Sequence, residues 1–338
     1  MHIWIDLANS PHVPLFKALA ARFAEAGHEI EVTARDFAET VPLANAAGFA
    51  AHVIGAHGGR QVSAKAGNLV GRAWSLASWA RKRSFDLALS HNSYSQILAA
   101  RVLGIRSVTL MDYEHQPANH LAFRMASRII VPASFPAERL QSYGASAGKV
   151  RRYHGTKEDI YLADFRPDSG FAKQLCELGI RPDNVLVLLR PPAHDALYHR
   201  FQNELFDEAL ALLLQKDNVQ VVLLPRNEAQ RADYSPRTSD RFIVPERSLD
   251  GANLVAASDL VISAGGTINR EAAALGVPAA SIYAGRWAAI DEELVNEGRL
   301  KRISSSKDLW NLPLQKKASS NPRRASAVID EVVNLIFG

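Results

Sequence analysis

The sequence has little of what marks several classes of protein. Cys176 is the single cysteine among 338 residues, which excludes an internal disulfide framework and a cysteine-based zinc site. An unpaired thiol fits a reducing cytoplasm, and residues 1–25 have no apolar core led by arginine or lysine, so no signal peptide is expected. No run of about 18 apolar residues is present, so no membrane-spanning helix is expected. The sequence therefore predicts a cytoplasmic protein.

Charge and composition narrow the class further. The formal net charge is +4, with 22% charged and 47% apolar residues, which indicates a globular chain rather than a disordered one. This mild positive excess suits an anionic ligand or an anionic membrane surface and is too weak to indicate nucleic acid binding. For peripheral membrane contact the candidates are Trp74 and Trp79 with the basic stretch Arg81–Arg83, a segment that fits a buried helix with a basic end equally well.

Short apolar runs alternate with helical patterns along the whole chain. The helical pattern Val13–Ala26 is followed by Gly27, a residue suited to a left-handed cap. Strands that are apolar throughout are typical of parallel sheets covered on both faces. The pattern thus predicts an α/β protein with two doubly wound, Rossmann-like αβα domains. The predicted strands are Ile3–Leu7, Glu29–Thr33, Asp86–Ser90, Ser107–Met111, Arg128–Val131, Asn184–Arg190, Val219–Pro225, Arg241–Pro245, Asp259–Ala264 and Pro278–Tyr283.

Domain boundaries follow from where the strand pattern restarts. The chain is too long for one ordinary core, which favours two domains. We expect one Rossmann-like domain at residues 1–160 and a second at residues 161–320. A last helix within residues 321–338 is expected to cross back to the first domain.

His12 lies directly after the first predicted strand, in the stretch ANSPHVPLFKAL. Ligands of open parallel sheets bind beyond the carboxyl ends of the strands, and the two sheets are expected to face each other across a deep cleft. This places His12 at or near a ligand. Its spacing to Phe16, Leu19 and Phe23 also fits a core residue in the first turn of a helix, so the spacing alone leaves both roles open.

The strongest local motif is SAGGTINREAAALGVP, at residues 263–278. Two glycines follow a predicted strand and allow close approach of a ligand, and the threonine after them is expected to cap the next helix. The amides of such a helix start suit a phosphate, and the glutamate is placed to accept hydrogen bonds from ribose hydroxyls. The alternative is an ordinary capped helix start. The predicted substrate-binding residues of the motif are Gly265, Gly266, Thr267, Asn269 and Glu271.

Ionisable side chains cluster after another predicted strand, in TLMDYEHQPANHLAF at residues 109–123. Asp112, Glu114 and His115, with His120 nearby, are typical of acid/base or sugar-binding loops. We predict catalytic roles for the first three, with polar residues that merely satisfy a loop as the alternative. Their spacing matches no metal-binding motif, so no metal is expected.

Arg190 ends a predicted strand in the second half of the chain, in LLRPPAHDALYHRF. An arginine there can pair bidentately with a diphosphate, or it can bind loop carbonyls in a purely structural role. His194 and Asp195 follow it. The stretch YHGTKEDIYLADF at the domain junction carries further candidates, for the ligand site or for the hinge alone: His154, Lys157 and Glu158.

These features resemble the GT-B superfamily, which includes nucleotide-sugar glycosyltransferases and the non-hydrolysing UDP-N-acetylglucosamine 2-epimerases. The likeness covers nearly the whole chain, and the opening IDLANSPHV is similar to that of the domain-of-unknown-function 354 family. SPHVPLFKALAARFAEAGHEIEV resembles the opening of MurG-type transferases, whose histidine acts near the acceptor, which corresponds to His12. SAGGTINREAAALGVP resembles their donor-binding segment, whose glutamate holds the ribose, which corresponds to Glu271. Residues 9–11, Asn-Ser-Pro, replace the glycines of their first loop.

A second likeness is to the epimerases. SVTLMDYEHQPANHLAFRMASRIIVPASFPAERL resembles their strand, VEAG, helix and APTE region, and Glu114 matches their acidic position. SHNSYSQILAARVLG stands where epimerases carry GDT, so one carboxylate that they use is replaced. Arg270 and Glu271 likewise do not reproduce their tandem glutamates.

The resemblance implies a glycosyltransferase that moves a sugar from a nucleoside diphosphate sugar to an acceptor hydroxyl. It also implies that residues 1–160 are the acceptor-side domain and residues 161–320 the nucleotide-sugar domain. His12 is expected to deprotonate or orient that hydroxyl. The acceptor is expected to be a sugar or a lipid-linked molecule, and no cofactor is expected besides the nucleotide sugar. An epimerase, with Asp112, Glu114 and His115 moving the proton at the sugar C2, is the alternative. A non-catalytic nucleotide-sugar binder is the third interpretation.

Overall fold

The structure of the protein is a computed structural model, and it describes residues 1–55, 62–192, 204–247 and 249–338. The chain divides into two compact units. The first unit holds Met1–Tyr161, Ala288–Ile290 and Ala325–Gly338, and the second holds Leu162–Trp287 and Asp291–Arg324. The chain therefore leaves the first unit and returns to it. The segment 288–290 is not predicted by the strand and helix pattern.

The first unit is built on a sheet of seven parallel strands within the described residues, in the order β3-β2-β1-β4-β5-β6-β7. The central strands are apolar and buried on both faces, as helices covering both sides of the sheet require. The strands are β1 (His2–Leu7), β2 (Glu29–Ala34), β3 (His52–Val53), β4 (Leu87–His91), β5 (Arg106–Leu110), β6 (Arg128–Pro132) and β7 (Val150–Tyr153).

Amphipathic helices cover this sheet. In the first of them Leu15, Phe16, Leu19 and Phe23 are fully buried, and the predicted left-handed residue after it, Gly27, is confirmed with φ of 75°. The helices of the first unit are α1 (His12–Glu25), α2 (Thr40–Ala46), α3 (Val62–Ala80), α4 (Tyr94–Leu103), α5 (Asn119–Met125), α6 (Ala137–Ser142), α7 (Lys157–Leu162, whose last residue belongs to the second unit) and α15 (Ala327–Phe337).

The second unit repeats the architecture with six parallel strands in its described residues, in the order β10-β9-β8-β11-β12-β13. Its strands are β8 (Val185–Arg190), β9 (Val219–Leu223), β10 (Phe242–Ile243), β11 (Leu260–Ser263), β12 (Ala279–Ser281) and β13 (Lys301–Arg302). Its helices are α8 (Phe171–Glu177), α9 (Glu204–Leu214), α10 (Glu228–Tyr234), α11 (Gly251–Ala257), α12 (Gly266–Leu275), α13 (Ala289–Asn296, whose first two residues belong to the first unit) and α14 (Ser306–Trp310).

The predicted class, two Rossmann-like domains with parallel sheets, is confirmed. All ten predicted strands are present with shifts of a residue or two at their ends. Three strands were missed, β3, β7 and β13, which have two to four residues each and lie at the edges of the sheets. An edge strand this short carries too few side chains to show a periodic pattern.

The predicted membrane-contact segment lies on α3 and the turn after it. Trp74 is 72% exposed, but Trp79 packs against Trp4 and Phe85, with ring centroids 5.7 and 5.5 Å away. The Arg83 guanidinium covers the Trp79 ring at 4.1 Å. Trp79 and Arg83 are therefore engaged within the first unit, which favours the alternative, a packed helix with a basic end. None of the helices in the described ranges is long and apolar enough to cross a membrane.

Candidate functional site

Each sheet has one place where the strand order reverses. In the first unit it lies between β1 and β4, and in the second between β8 and β11. The loops that leave these neighbouring strands run to opposite faces of the sheet, and ligands of such folds bind outside the carboxyl ends at this switch point. The two switch points hold the residues described next.

The loop after β1 accepts hydrogen bonds from the backbone N–H groups at the start of α1. The His12 backbone N–H donates to the Asn9 carbonyl at 3.0 Å, and that of Val13 donates to the Ser10 carbonyl at 3.1 Å. Pro14 has no N–H to offer. The amides that would hold a phosphate at a helix start are thus used locally or missing. The start of α1 therefore has none of these amides available for a phosphate within the described residues.

His12 is the first residue of α1, and it is buried beside a second histidine. Its ring centroid lies 4.8 Å from that of His91, the last residue of β4. Its Nδ1 atom is buried and has no hydrogen-bond partner in the described part of the chain. Burial lowers the pKa of His12 well below its usual value, helped by the nearby charges of His91 and Lys157 and opposed by Asp112. His12 is therefore a neutral imidazole at pH 7.

A buried chain of ionisable groups continues from His91. Its Nε2 lies 3.5 Å from Oδ1 of Asp112, and Oδ2 of Asp112 lies 2.6 Å from the Lys157 ammonium. Lys157 also pairs with the fully buried Glu158 at 2.9 Å. Asp112 follows β5 and Lys157 begins α7, so distant segments converge at this edge of the sheet. Such desolvated charges are stable only while each keeps its partner.

Glu114 and His115 form a second pair after β5. Oε1 of Glu114 lies 3.7 Å from Nε2 of His115 and accepts a hydrogen bond from the Ala289 backbone N–H, also a first-unit residue, at 2.7 Å. His120 is exposed and contacts Arg124 and the Tyr143 ring. The expectation that His120 belongs to the ionisable cluster is wrong, because α5 turns it toward the outside.

The second switch point is an open helix start. Gly265 is the N-cap of α12, and without a side chain it cannot cap the first-turn amides. The predicted capping by Thr267 is wrong, because the helix already begins at Gly266 and Thr267 lies within its first turn. The loop before it is held by Asn269, whose side-chain amide donates to the Gly265 carbonyl at 2.9 Å. Oδ1 of Asn269 is buried with no partner among the described residues.

Two arginines lie at this helix start. Nε of Arg226 donates to the Pro191 carbonyl at 2.6 Å, and a Cβ on Gly265 would overlap the Arg226 guanidinium. Arg190 ends β8; burial lowers its pKa, and the carboxylate of Glu271 acts in the opposite direction. Both guanidinium groups remain charged at any ordinary pH. Among the described residues, first-turn amides without a side-chain cap, the positive end of a helix and two cations form an arrangement that suits a phosphate-bearing ligand.

The structure thus brings Arg190, Gly265 and Glu271 together and joins His12 to Asp112 through His91. Sequence reasoning did not select His91 or Arg226, and it named Lys157 only as a candidate at the domain junction, for the ligand site or for the hinge. His91 carried a signal, since it ends a strand beside a switch point, whereas Arg226 lies in a loop without a motif. His194 and Asp195 lie outside the described residues. Within the described ranges no group of three His, Cys, Asp or Glu side chains is placed to hold a metal ion.

Comparison with known proteins places the chain in a family. The model of the family described as "Protein of unknown function (DUF354)" matches residues 1–338, and the chain belongs to this family. A relative, the uncharacterized protein MJ0665 of Methanocaldococcus jannaschii, is 28% identical over 317 residues, which are 92% of this chain and 90% of the relative.

Solved structures with a similar fold include an epimerase and a glycosyltransferase. The UDP-GlcNAc 2-epimerase of Methanocaldococcus jannaschii, in complex with UDP-GlcNAc and UDP, is similar with a TM-score of 0.75 and 14% identity over 100% of both chains. The spinosyn rhamnosyltransferase SpnG is similar with a TM-score of 0.59 and 13% identity over 100% of this chain and 92% of its own. The chain therefore has the GT-B fold.

Proposed function

We propose that this protein is a glycosyltransferase that uses a nucleoside diphosphate sugar as its donor. The observation that carries the proposal is the start of α12, where Gly265 leaves the first-turn amides uncapped beside Arg226 and Arg190. Other helices also begin without a side-chain cap, as α8 does after Gly170, so what distinguishes the start of α12 is the pair of half-buried arginines beside it.

In this proposal the donor diphosphate binds to the α12 amides and to the two guanidinium groups. A single helix terminus contributes only about 0.3–1 kcal/mol per exposed anion, so several converging donors are needed to hold a nucleotide. Glu271 is the candidate for the ribose hydroxyls, as the resemblance to the transferases implies. UDP-GlcNAc and UDP in the epimerase of the same fold support a uridine nucleotide as the first ligand to test. The leaving diphosphate gains its charge in the transition state, where these same groups stabilise it.

His12 is the proposed general base for the acceptor hydroxyl. It is neutral at pH 7, its Nδ1 has no partner in the described part of the chain, and it stands at the first switch point. A proton accepted by His12 can be stabilised by the negative charge of Asp112. The carboxylate of Asp112 is itself paired with the Lys157 ammonium, at 2.6 Å.

An epimerase is the second candidate, for one chemical reason. Transfer to an acceptor needs one base, whereas epimerisation at the sugar C2 needs a group that removes the proton and a group that returns it on the other face. The neighbouring rings of His12 and His91 offer two such groups. In this reading Asp112, Glu114 and His115 assist the proton transfers.

The decisive experiment combines calorimetry with product analysis. Nucleoside diphosphates and their sugars are titrated into the protein, and each sugar that binds is then incubated in deuterium oxide with and without a panel of sugar and lipid-linked acceptors. Acceptor-dependent release of the nucleoside diphosphate supports the transferase. Deuterium at C2 without an acceptor supports the epimerase, binding without turnover supports a non-catalytic binder, and absence of all binding refutes the proposal.

A further inference from the structure

Arg35 lies at the carboxyl edge of the first sheet, directly after β2. Its backbone N–H donates to the Leu7 carbonyl at the end of β1, at 2.9 Å. The loop that carries it meets the loop before α1, where the hydroxyls of Ser10 and Thr40 are 3.4 Å apart. Arg35 therefore belongs to the edge of the sheet at which His12 stands.

The other arginine in this region, Arg72, is fully neutralised. Its Nη1 and Nη2 atoms donate to both carboxylate oxygens of the buried Asp6, at 2.9 and 2.8 Å. Oδ1 of Asp6 also accepts from the Thr33 hydroxyl at 2.6 Å, and Oδ2 accepts from the Ser93 hydroxyl. Both oxygens of Asp6 are thus occupied, so this carboxylate has no lone pair left for Arg35.

Arg35 itself is a partly buried cation without an anion. In the described ranges its side chain makes no ion pair and no hydrogen bond, and its Nε atom is buried. Its guanidinium packs over the Phe37 ring, 5.3 Å from the centroid. Burial lowers its pKa, as does the charge of Arg72, while Asp6 opposes them. Because the charges of Asp6 and Arg72 neutralise each other, the guanidinium of Arg35 is a net positive charge that is partly shielded from water. A bound anion would stabilise this charge.

We infer that Arg35 binds an acidic group, a phosphate or a carboxylate, on the molecule that His12 deprotonates. This inference rests on the proposed function and narrows it, because it assigns the first unit an acidic acceptor rather than a neutral sugar. The start of α1 cannot take that role, since its amides donate to Asn9 and Ser10. The side chain of Arg35 is therefore the anion-binding group on this edge.

The test follows the side chain directly by NMR of protein labelled with 15N-arginine. The Nε–H signal of Arg35 is assigned by its loss in Arg35→Lys, and inorganic phosphate and sodium acetate are titrated at constant ionic strength. We expect a saturable shift of the Arg35 signal, with phosphate alone for a phosphate-bearing acceptor and with both anions for a carboxylate. The exposed Arg81 serves as the matched control, and its signal is expected to stay in place.

Two results would overturn the inference. One is an Arg35 signal that moves with neither anion. The other is displacement of phosphate from Arg35 by UDP, since the nucleotide itself would then occupy the position. Failure of the proposed function looks different: UDP gives no heat of binding while the Arg35 signal still responds to phosphate.

A kinetic measurement complements the NMR. Once an acceptor is found, Arg35→Gln is expected to raise its KM about tenfold, the effect of losing one hydrogen bond to a charged group, and to leave kcat and UDP affinity near the wild-type values. Arg81→Gln is expected to change none of them.

Discussion

The two switch points share a topology and differ in what they offer a ligand. At the first, the α1 amides donate to Asn9 and Ser10, and the site is a buried chain of ionisable side chains that begins with His12. At the second, Gly265 leaves the α12 amides uncapped, and arginines stand beside them. We therefore expect the same strand order to support proton transfer in the first unit and the binding of a diphosphate in the second.

The difference has a simple physical origin. At α12, the glycine N-cap has no side chain that could bind the first-turn amides. At α1, Pro14 has no N–H, and the two amides before it donate to carbonyls of the preceding turn. Burial then works in opposite senses. It keeps an imidazole neutral and able to accept a proton, and it leaves guanidinium groups charged and able to hold an anion, because their ordinary pKa is far above 7.

The largest expected effect is on turnover, at the first switch point. His12→Ala is expected to lower kcat by about 10²–10⁴, the usual contribution of a positioned base. Nucleoside diphosphate affinity is expected to stay near the wild-type value, because those contacts belong to the second unit. Steady-state kinetics and calorimetry measure the two quantities. His120→Ala, at the exposed histidine on α5, is the control, and an equal loss in both variants would remove His12 from the mechanism.

The next effect is on stability and concerns the same unit. Lys157→Met leaves Asp112 and Glu158 buried without their cation, so the free energy of unfolding is expected to fall by about 3–5 kcal/mol. Lys173→Met, in an exposed pair with Glu177, is expected to change it by less than about 0.5 kcal/mol. Urea denaturation measures both. Similar values for the two lysines would show that the buried chain contributes no stability.

A smaller effect is expected on nucleotide binding at the second switch point. Gly265→Ala puts a Cβ against the Arg226 guanidinium and displaces it from the helix start, so UDP affinity is expected to fall about tenfold. Gly251→Ala is the matched control, because Gly251 also begins a helix of this unit and a Cβ there meets open space. Calorimetry that finds equal affinity in both variants would contradict the anion site.

The smallest effect is on how the free energy of unfolding and kcat/KM depend on pH. The folded protein lowers the pKa of His12, whereas the unfolded chain binds the proton near pH 6.5, so the free energy of unfolding is expected to fall as pH drops below about 6.5. The acid limb of kcat/KM is expected below the same pH. His91→Gln removes a repelling neighbour and is expected to raise the pKa of His12, while Asp112→Asn is expected to lower it.

NMR titration of the His12 ring signal measures these shifts. A signal that titrates at the ordinary value in the wild type would show that burial does not govern His12, and the comparison between the two switch points would then lose its basis.

The strands were predictable because a strand that is buried on both faces needs a continuous apolar run, as in Val185–Arg190. The same runs place His12 and Gly265 at strand ends, where ligands bind. Pairings over long sequence distances were not predictable. Lys157 meets Asp112 across 45 residues, and no periodic pattern relates the two positions. Arg226 was missed for the same reason, since its role depends on the Gly265 backbone coming close to it in space.

The return of the chain to the first unit has a consequence for its synthesis. Val328, Val332 and Ile336 of α15 lie in the first unit's core, the Phe337 ring lies 5.3 Å from that of Phe23, and Arg128 donates to the Leu335 carbonyl at 2.7 Å. On the ribosome the second unit emerges before these residues do. The nascent first unit therefore has the Phe23 side of its core uncovered until α15 has been synthesised and has left the ribosome.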